Sequence, residues 1–410
     1  MANLPWGTIV DILLRLPVED LLRYKCVSKG WCGLIQSRSF VKRHLSHSME
    51  TSSNLCVILN TGHEFHSVEL DRELSALESS VRVDPPIFTG HGVEILGFCN
   101  GLVVLMETGP RYDTVIWNPA TKQCRKVPMS DLNQLPGSIF YDIGIAGFGY
   151  DPVNDDHKFL RMLHYCGNNP VRSLRSEVNV YSLNTNTWKR VADFPYLGKH
   201  CGKSLLVGSS FHWLLGLQLG TKISTVILAF DLVTEKYRQI PRADTDTKGK
   251  AYYSTITELG GWLCEVVKYG GHSEKAQYVE FWVMKEYGVK ESWTKLCTVV
   301  PSNVTGSFTS IMPLKYFEKA HQILFDQDNK KLMLYDLERK EAKSVRSYTK
   351  TCGKIACVRS LVGVVVDKPN SGKEAEEDLN KKNNEKEKQQ PIGKKWDDFL
   401  SKGVSFKLVL

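Results

Sequence analysis

Apolar residues between Leu4 and Leu45 return at intervals of three and four: Ile9, Ile12 and Leu13, then Val18, Leu21 and Leu22, then Trp31, Leu34 and Ile35. That period places them on one side of short α-helices. Pro17 suits the first turn of a helix, where its missing N–H has no partner to lose, and Glu19 and Asp20 follow at the positive end of the dipole. A helix break therefore falls at Leu16–Pro17. Ser28 and Ser39 are the expected N-caps of the next two helices. Gly30 and Gly33 each cost a helix interior roughly 1 kcal/mol relative to Ala, so tertiary packing has to hold the third helix.

From about Asn54 to Val366 the period changes to two. Short runs rich in Val, Ile, Leu, Tyr, Phe and Trp alternate with Gly, Pro, Asn and Asp, the pattern of an all-β domain. A unit of strand, polar turn, second strand and often a proline recurs, as in Val115–Thr121 leading to Val127-Pro128, and in Ala229–Leu232 leading to Ile240-Pro241. With Asn118, Asn184, Asp231, Met284 and Asp336 as markers, copies lie on the order of 50 residues apart, the spacing of four-stranded propeller blades. The expected architecture is a small all-α N-terminal module followed by a large all-β domain, a kelch-like β-propeller. A sandwich with hairpins of similar length would leave a similar trace, and the uneven spacing does not fix a blade number.

Composition changes again after Val366. From Asp367 to about Gly393 the chain is Lys, Glu, Asn and Gln with no aromatic residue, too polar to offset its own entropy by burial, and reads as a disordered charged linker. An amphipathic tail follows, with Trp396, Phe399, Leu400, Phe406, Leu408, Val409 and Leu410, suited to docking on the protein's own surface or on a partner. The net charge of +8 spread over 410 residues forms no dense basic patch, which argues against nucleic acid as the partner. The 11 cysteines lack zinc-type spacing, and no signal-peptide pattern opens the chain, so they read as reduced thiols of the cytoplasm or nucleus. No apolar run reaches the ~20 residues of a membrane span.

Residues 1–45 resemble the F-box at Leu4-Pro5, Ile12 through Val18, Leu21-Leu22-Arg23, Cys26-Val27-Ser28-Lys29, Trp31, Leu34-Ile35 and Phe40, with Gly30 a mild departure. Residues 54–366 resemble the plant F-box-associated domain. The landmarks, in order, are Gly97 through Leu102, Trp117 through Thr121, Gly147 through Pro152, Phe211 through Leu214, Phe230-Asp231-Leu232, Trp282 through Gly288 and Ser292-Trp293. The ending within 367–410 is similar to that of the CPR-type F-box proteins, regulators of plant immune-receptor levels, with Val404 and Ser405 as an extra pair. Other members of the family act in self-incompatibility or in further pathways.

The resemblance implies a substrate receptor of an SCF-type (Skp-cullin-F-box) ubiquitin ligase. The F-box would hold a Skp-type adaptor, and through it a cullin and a RING subunit, while the β domain selects the protein to be ubiquitinated. An adaptor face has to be mainly apolar, because association must overcome lost translational and rotational freedom. Leu4, Pro5, Ile9, Ile12, Leu13, Leu16, Pro17, Leu21 and Leu22 are the candidates, some of them needed for the module's own core. No residues can be assigned to the client.

No catalytic centre, cofactor or metal site is expected. Gly147-Phe148-Gly149 lacks the remainder of a dinucleotide fingerprint and reads as a strand turn, and His63, His66, His157 and His212 lack zinc-protease spacing. Trp117, Trp188, Trp213, Trp262, Trp282 and Trp293 read as packing between sheets rather than as a stacking platform. The competing readings are a lectin-like binding propeller without ubiquitin transfer, and a propeller enzyme with a titratable cluster at its central channel.

Overall fold

The computed structural model describes residues 5–61, 64–70, 80–83, 85, 92–108, 113–128, 140–166, 174–195, 204–219, 222–245, 252–270, 274–347 and 353–364. The linker and tail expected over 367–410 lie outside the described residues.

Four helices open the chain: α1 (Trp6–Leu13), α2 (Val18–Tyr24), α3 (Lys29–Gln36) and α4 (Arg38–Glu50). Pro17 takes the N-cap of α2, with Glu19 and Asp20 in its first turn. The Ser28 hydroxyl caps α3 by accepting from the Trp31 N–H at 3.1 Å. The expected cap at Ser39 is displaced. Ser37 caps α4 instead, its extended backbone placing Oγ 3.3 Å from the Phe40 N–H, and Ser39 is already helical. Val10, Leu13, Leu14, Val18, Leu21, Ile35 and Phe40 meet in a small core that also takes in Leu361 from the far end of the described chain.

The all-β expectation resolves into a propeller whose described strands form six four-stranded sheets. The first blade begins with β1 (Leu55–Asn60), β2 (Phe65–Glu69) and β3 (Ser80–Arg82). The second holds β4 (Val93–Cys99), β5 (Leu102–Glu107), β6 (Thr114–Trp117) and β7 (Cys124–Lys126). The third comprises β8 (Phe140–Asp151), β9 (Asp156–Cys166), β10 (Leu174–Ser182) and β11 (Thr187–Arg190). The fourth comprises β12 (Leu205–Val207), β13 (Ser210–Leu219), β14 (Lys222–Asp231) and β15 (Lys236–Ile240). Next come β16 (Tyr252–Leu259), β17 (Trp262–Tyr269), β18 (Tyr278–Met284) and β19 (Trp293–Val299), then β20 (Ile311–Phe317), β21 (Gln322–Gln327), β22 (Lys331–Asp336) and β23 (Glu341–Ser347). Finally β24 (Gly353–Val358) returns to pair antiparallel with β1, so the last strand completes the first blade. The leading strands β24, β4, β8, β12, β16 and β20 contact one another in a ring around the axis.

The repeat unit now has a physical content. Asn118, Asp231 and Asp336 end third strands, and the Oδ1 of each accepts backbone N–H groups two and three residues on, at 2.7–3.2 Å. Lys122, Glu235 and Lys340 then adopt positive φ. These are Asx turns, built by a short polar side chain that substitutes for backbone pairing. In the third blade the equivalent residue is Ser182 rather than Asn184: its Oγ accepts from the Thr185 N–H at 3.1 Å, and Asn186 is left-handed.

Outer edges are tied from blade to blade. Trp188 Nε1 donates to the Pro128 carbonyl at 2.7 Å and Trp293 Nε1 to that of Pro241 at 2.9 Å, which accounts for the prolines that close the repeats: an edge proline loses no ladder bond, and its carbonyl remains free to accept. Trp117, Trp213 and Trp293 are buried, and Trp188, Trp262 and Trp282 are partly so.

Gly147-Phe148-Gly149 is a correction. It lies inside β8, not in a turn. A Cβ on Gly147 would stand 2.8 Å from Ser204 Cβ and 2.9 Å from the Phe211 ring, and one on Gly149 would stand 2.7 Å from Leu232. The glycines are there because the next blade packs directly on the backbone.

Candidate functional site

The nine candidate adaptor residues separate by depth. Leu13 and Leu21 are fully buried and belong to the internal core, because one face of each of these short helices must fill the module itself. Ile9, Leu16 and Leu22 are half-buried against that core. Pro5, Ile12 and Pro17 are exposed, and Leu4 lies outside the described residues. Trp6, Tyr24 and Val27 join the exposed apolar set and were not among the candidates. A signal for them was present: with one stripe of α1 and α2 filling the interior, the remaining large apolar residues have nowhere inside to go. Tyr24 stands edge-on to Trp31 with ring centroids 5.9 Å apart, and Trp6 lies beside Gly30. Large apolar side chains clustered on the outside of a small helical module are the usual mark of a docking face.

The module is seated on one end of the propeller. Asn54, left-handed at φ 57°, ties three elements together. Its Oδ1 accepts from the Val18 N–H at 3.3 Å, its Nδ2 donates to Ser48 Oγ at 2.9 Å, and its carbonyl accepts from the Arg359 N–H at 2.8 Å. The Arg359 guanidinium pairs with Glu19 at 3.0 Å and Glu69 at 3.4 Å. On the neighbouring side Asp155, in the β8–β9 turn, receives Arg38 and also Lys42 at 2.6 Å from α4, and Tyr150 from β8. Burial alone would raise the Asp155 carboxyl, but the hydrogen bonds from Lys42 and Tyr150 and the two cations hold it below the usual carboxylate range. Leu45 and Met49 of α4 add apolar contact against the first and sixth blades.

All these contacts lie at the end of the propeller that carries the turns β4–β5, β6–β7 and β8–β9. The opposite end carries the first residues of the leading strands, such as Tyr252 of β16 and Ile311 of β20, and the connection 300–310 between the fifth and sixth blades. There Tyr252, Tyr253, Val300, Val304 and Met312 are exposed on the fifth and sixth blades. Thr305 shapes part of this rim: its hydroxyl accepts from the Ser302 N–H at 2.8 Å, and its carbonyl accepts from Gln327 Nε2 at 2.7 Å.

Between the two ends runs the axial channel, a cavity of about 220 Å³ lined by residues of all six leading strands together with Met49. Its wall is mainly Leu, Ile, Phe and Met, with Ser204, Thr257, Glu258, Lys315 and Lys354 as polar members. Burial pushes the Glu258 carboxyl up to about 7, against the Gly261 N–H bond and the Lys315 charge that would lower it. Among the described residues no cluster of His, Cys, Asp and Glu could hold a metal ion, and no helix is long and apolar enough to cross a membrane.

The histidines serve the packing. His157 stacks on Phe148, and burial lowers it to about 4. His212, also lowered to about 4 by burial, has Nε2 2.6 Å from the Tyr287 hydroxyl. His66 faces Glu64 at 3.2 Å, and His63 lies outside the described residues.

Comparison with known proteins agrees with this division. The F-box domain matches residues 1–43, and the F-box associated beta propeller domain matches residues 47–368. F-box protein CPR1 of Arabidopsis thaliana is 31% identical, with 100% of both chains covered. F-box protein At4g22390 of the same plant is 27% identical over 100% of both, and the F-box/kelch-repeat protein At3g23880 is 27% identical over 72% of this chain and 79% of its own. An exposed apolar helical face carried on a six-bladed propeller, matched along its whole length, makes this chain a member of the F-box proteins with an F-box-associated β-propeller domain.

Proposed function

We propose that this chain is the client-selecting receptor of an SCF-type ubiquitin ligase, working in the cytoplasm or nucleus and carrying no catalytic centre of its own. The F-box family itself implies binding to a Skp1-type adaptor and assembly into the SCF complex. The observation that carries the finer reading is the polarity of the molecule: the apolar F-box face and the exposed far rim lie at opposite ends of a rigid propeller. Ubiquitin transfer is then a matter of proximity, in which the receptor holds a client at a fixed place relative to an enzyme bound elsewhere in the assembly.

The apolar wall of the channel supports this reading over that of a propeller enzyme, which needs several convergent titratable groups. Pro5, Trp6, Ile12, Pro17, Tyr24 and Val27 are the adaptor-facing set in this proposal. Clients dock on the rim of the fifth and sixth blades, where Tyr252, Tyr253 and Val304 are exposed. Full-length likeness to CPR1, together with the similar tail pattern, supports a role in plant defence, with immune receptors as clients.

The test is client turnover in plant cells, comparing the wild type with a Tyr252→Ser, Tyr253→Ser, Val304→Ser rim variant. The variant is expected to retain adaptor while the client accumulates. Unchanged turnover with the rim variant would remove the client surface from this end. Turnover that persists when the cullin is depleted would favour the binding-propeller reading.

A further inference from the structure

The seam that closes the propeller carries a pair of facing thiols. Cys56 on β1 stands directly opposite Cys357 on β24, with the two Sγ atoms 3.4 Å apart and both side chains buried. Residues opposed across an antiparallel pair have Cα atoms about 4.5–5.5 Å apart. That lies inside the roughly 4.4–6.8 Å that a disulfide accepts. The sulfurs can therefore reach bonding distance through side-chain rotation without moving either strand. The two residues are 301 positions apart in the chain, so the first blade is held shut at this pair by hydrogen bonds and packing alone.

The pair is chemically unequal. The hydrogen bond with Cys357 holds the Cys56 thiol below its ordinary value, burial opposes this, and the Arg359 guanidinium and Ser67 favour the thiolate. Cys357 is pushed well above its ordinary value by the same hydrogen bond and by burial. The Arg359 charge favours a thiolate at this pair, and with one sulfur as thiolate the other lies beside it as the resolving thiol; Cys56 is taken as the attacking one.

We propose that Cys56 and Cys357 form a modification site, a dithiol that a two-electron oxidant of the peroxide class converts to a disulfide joining the first strand of the propeller to the last. The Cys56 thiolate attacks one peroxide oxygen, the O–O bond breaks, and sulfenic acid forms at Cys56 with release of hydroxide. The Cys357 sulfur then displaces the sulfenic oxygen, the S–S bond forms, and the displaced oxygen leaves as water with the thiol proton. Both sulfurs are oxidised by one electron each, one peroxide is reduced, and the sum is two thiols and one peroxide giving one disulfide and two waters. The cross-link closes a loop of nearly the whole β domain, which restricts the unfolded chain and raises resistance to unfolding.

The experiment treats the full chain, bound to its adaptor, with hydrogen peroxide, blocks free thiols with N-ethylmaleimide after unfolding, and maps non-reduced peptides by mass spectrometry. The expected result is a Cys56–Cys357 cross-linked peptide, reversed by dithiothreitol, together with a thermal midpoint several degrees higher that Cys56→Ser does not show. Recovery of both cysteines as maleimide adducts, or of either joined to a different cysteine, overturns the proposal. A midpoint that rises equally in wild type and Cys56→Ser overturns the lock, and the peptide map of the wild type decides the site even if the variant folds poorly.

Discussion

Asn54 shows how much a single residue carries at the junction. It supplies two side-chain hydrogen bonds and a left-handed backbone that asparagine tolerates better than most residues. Asn54→Ala is expected to cost about 2–3 kcal/mol in denaturant unfolding of the full chain, from two lost bonds and added strain. Asn54→Gly, which relieves the strain but not the lost bonds, should fall between. Gly33 offers the opposite case. A Cβ there meets nothing within 4 Å, so Gly33→Ala should stabilise by about 0.5–1 kcal/mol, read as a higher denaturant midpoint at unchanged slope.

Buried histidines set the acid limb. His157 and His212 are lowered to about 4, so between pH 6.5 and 4 the unfolded chain binds protons that the native chain refuses. Stability present above pH 6.5 is therefore lost as pH falls through that window, by as much as ~1.4 kcal/mol per pH unit for each histidine. Glu258 works the other way. Its native carboxyl, raised to about 7, takes up a proton before the unfolded one does and offsets one histidine. Glu258→Gln should steepen the loss of stability between pH 6.5 and 4.5 in urea titrations, and an unaltered slope would contradict this account of the channel wall.

At the scale of elements, the α4–propeller contact is the mechanically important joint. Asp155→Ala removes the acceptor shared by Arg38, Lys42 and Tyr150. Hydrogen exchange of the α4 amides should quicken while those of β9 and β10 hold, and client ubiquitination should fall with adaptor affinity unchanged. The elements themselves were largely legible. Period-three and period-two patterns mark helices and strands because each has to bury one face, and Pro17 and Ser28 mark helix starts through their own chemistry. Ser39 misled because Ser37, two residues earlier, offers the same hydroxyl with the backbone angle a cap needs. Gly147 and Gly149 misled because a glycine needed for close packing of a neighbouring blade has the same local trace as a glycine needed for a turn.

At the scale of the whole molecule, the repeat count could not be read because the first blade is divided. β1, β2 and β3 come early, and their inner partner β24 arrives at the far end of the propeller, so the first blade never appears as four consecutive strands. The proposed adaptor set was legible as a list of apolar residues, but which of them are exposed was not. Burial separates Leu13 and Leu21 from Ile12 and Pro17, and burial is decided by the packing of α2, α3 and α4, which periodicity on helices of seven or eight residues does not fix. The rim proposed for clients has no signal in the sequence, since exposed tyrosines and valines at strand ends look like any others.

The receptor account stands most directly on the adaptor face, and the measurement is titration calorimetry of the full chain with a Skp1-type adaptor, wild type against Ile12→Asp. Ile12 is 47% exposed, so the substitution leaves the internal core in place, which the circular dichroism spectrum and unfolding midpoint check. The account predicts tight binding by the wild type and a loss of at least about 30-fold in the variant, the ~2 kcal/mol expected for a buried anchor. Equal affinity in a folded variant would move the adaptor contact off this face, and absence of binding by the wild type would contradict the receptor account itself.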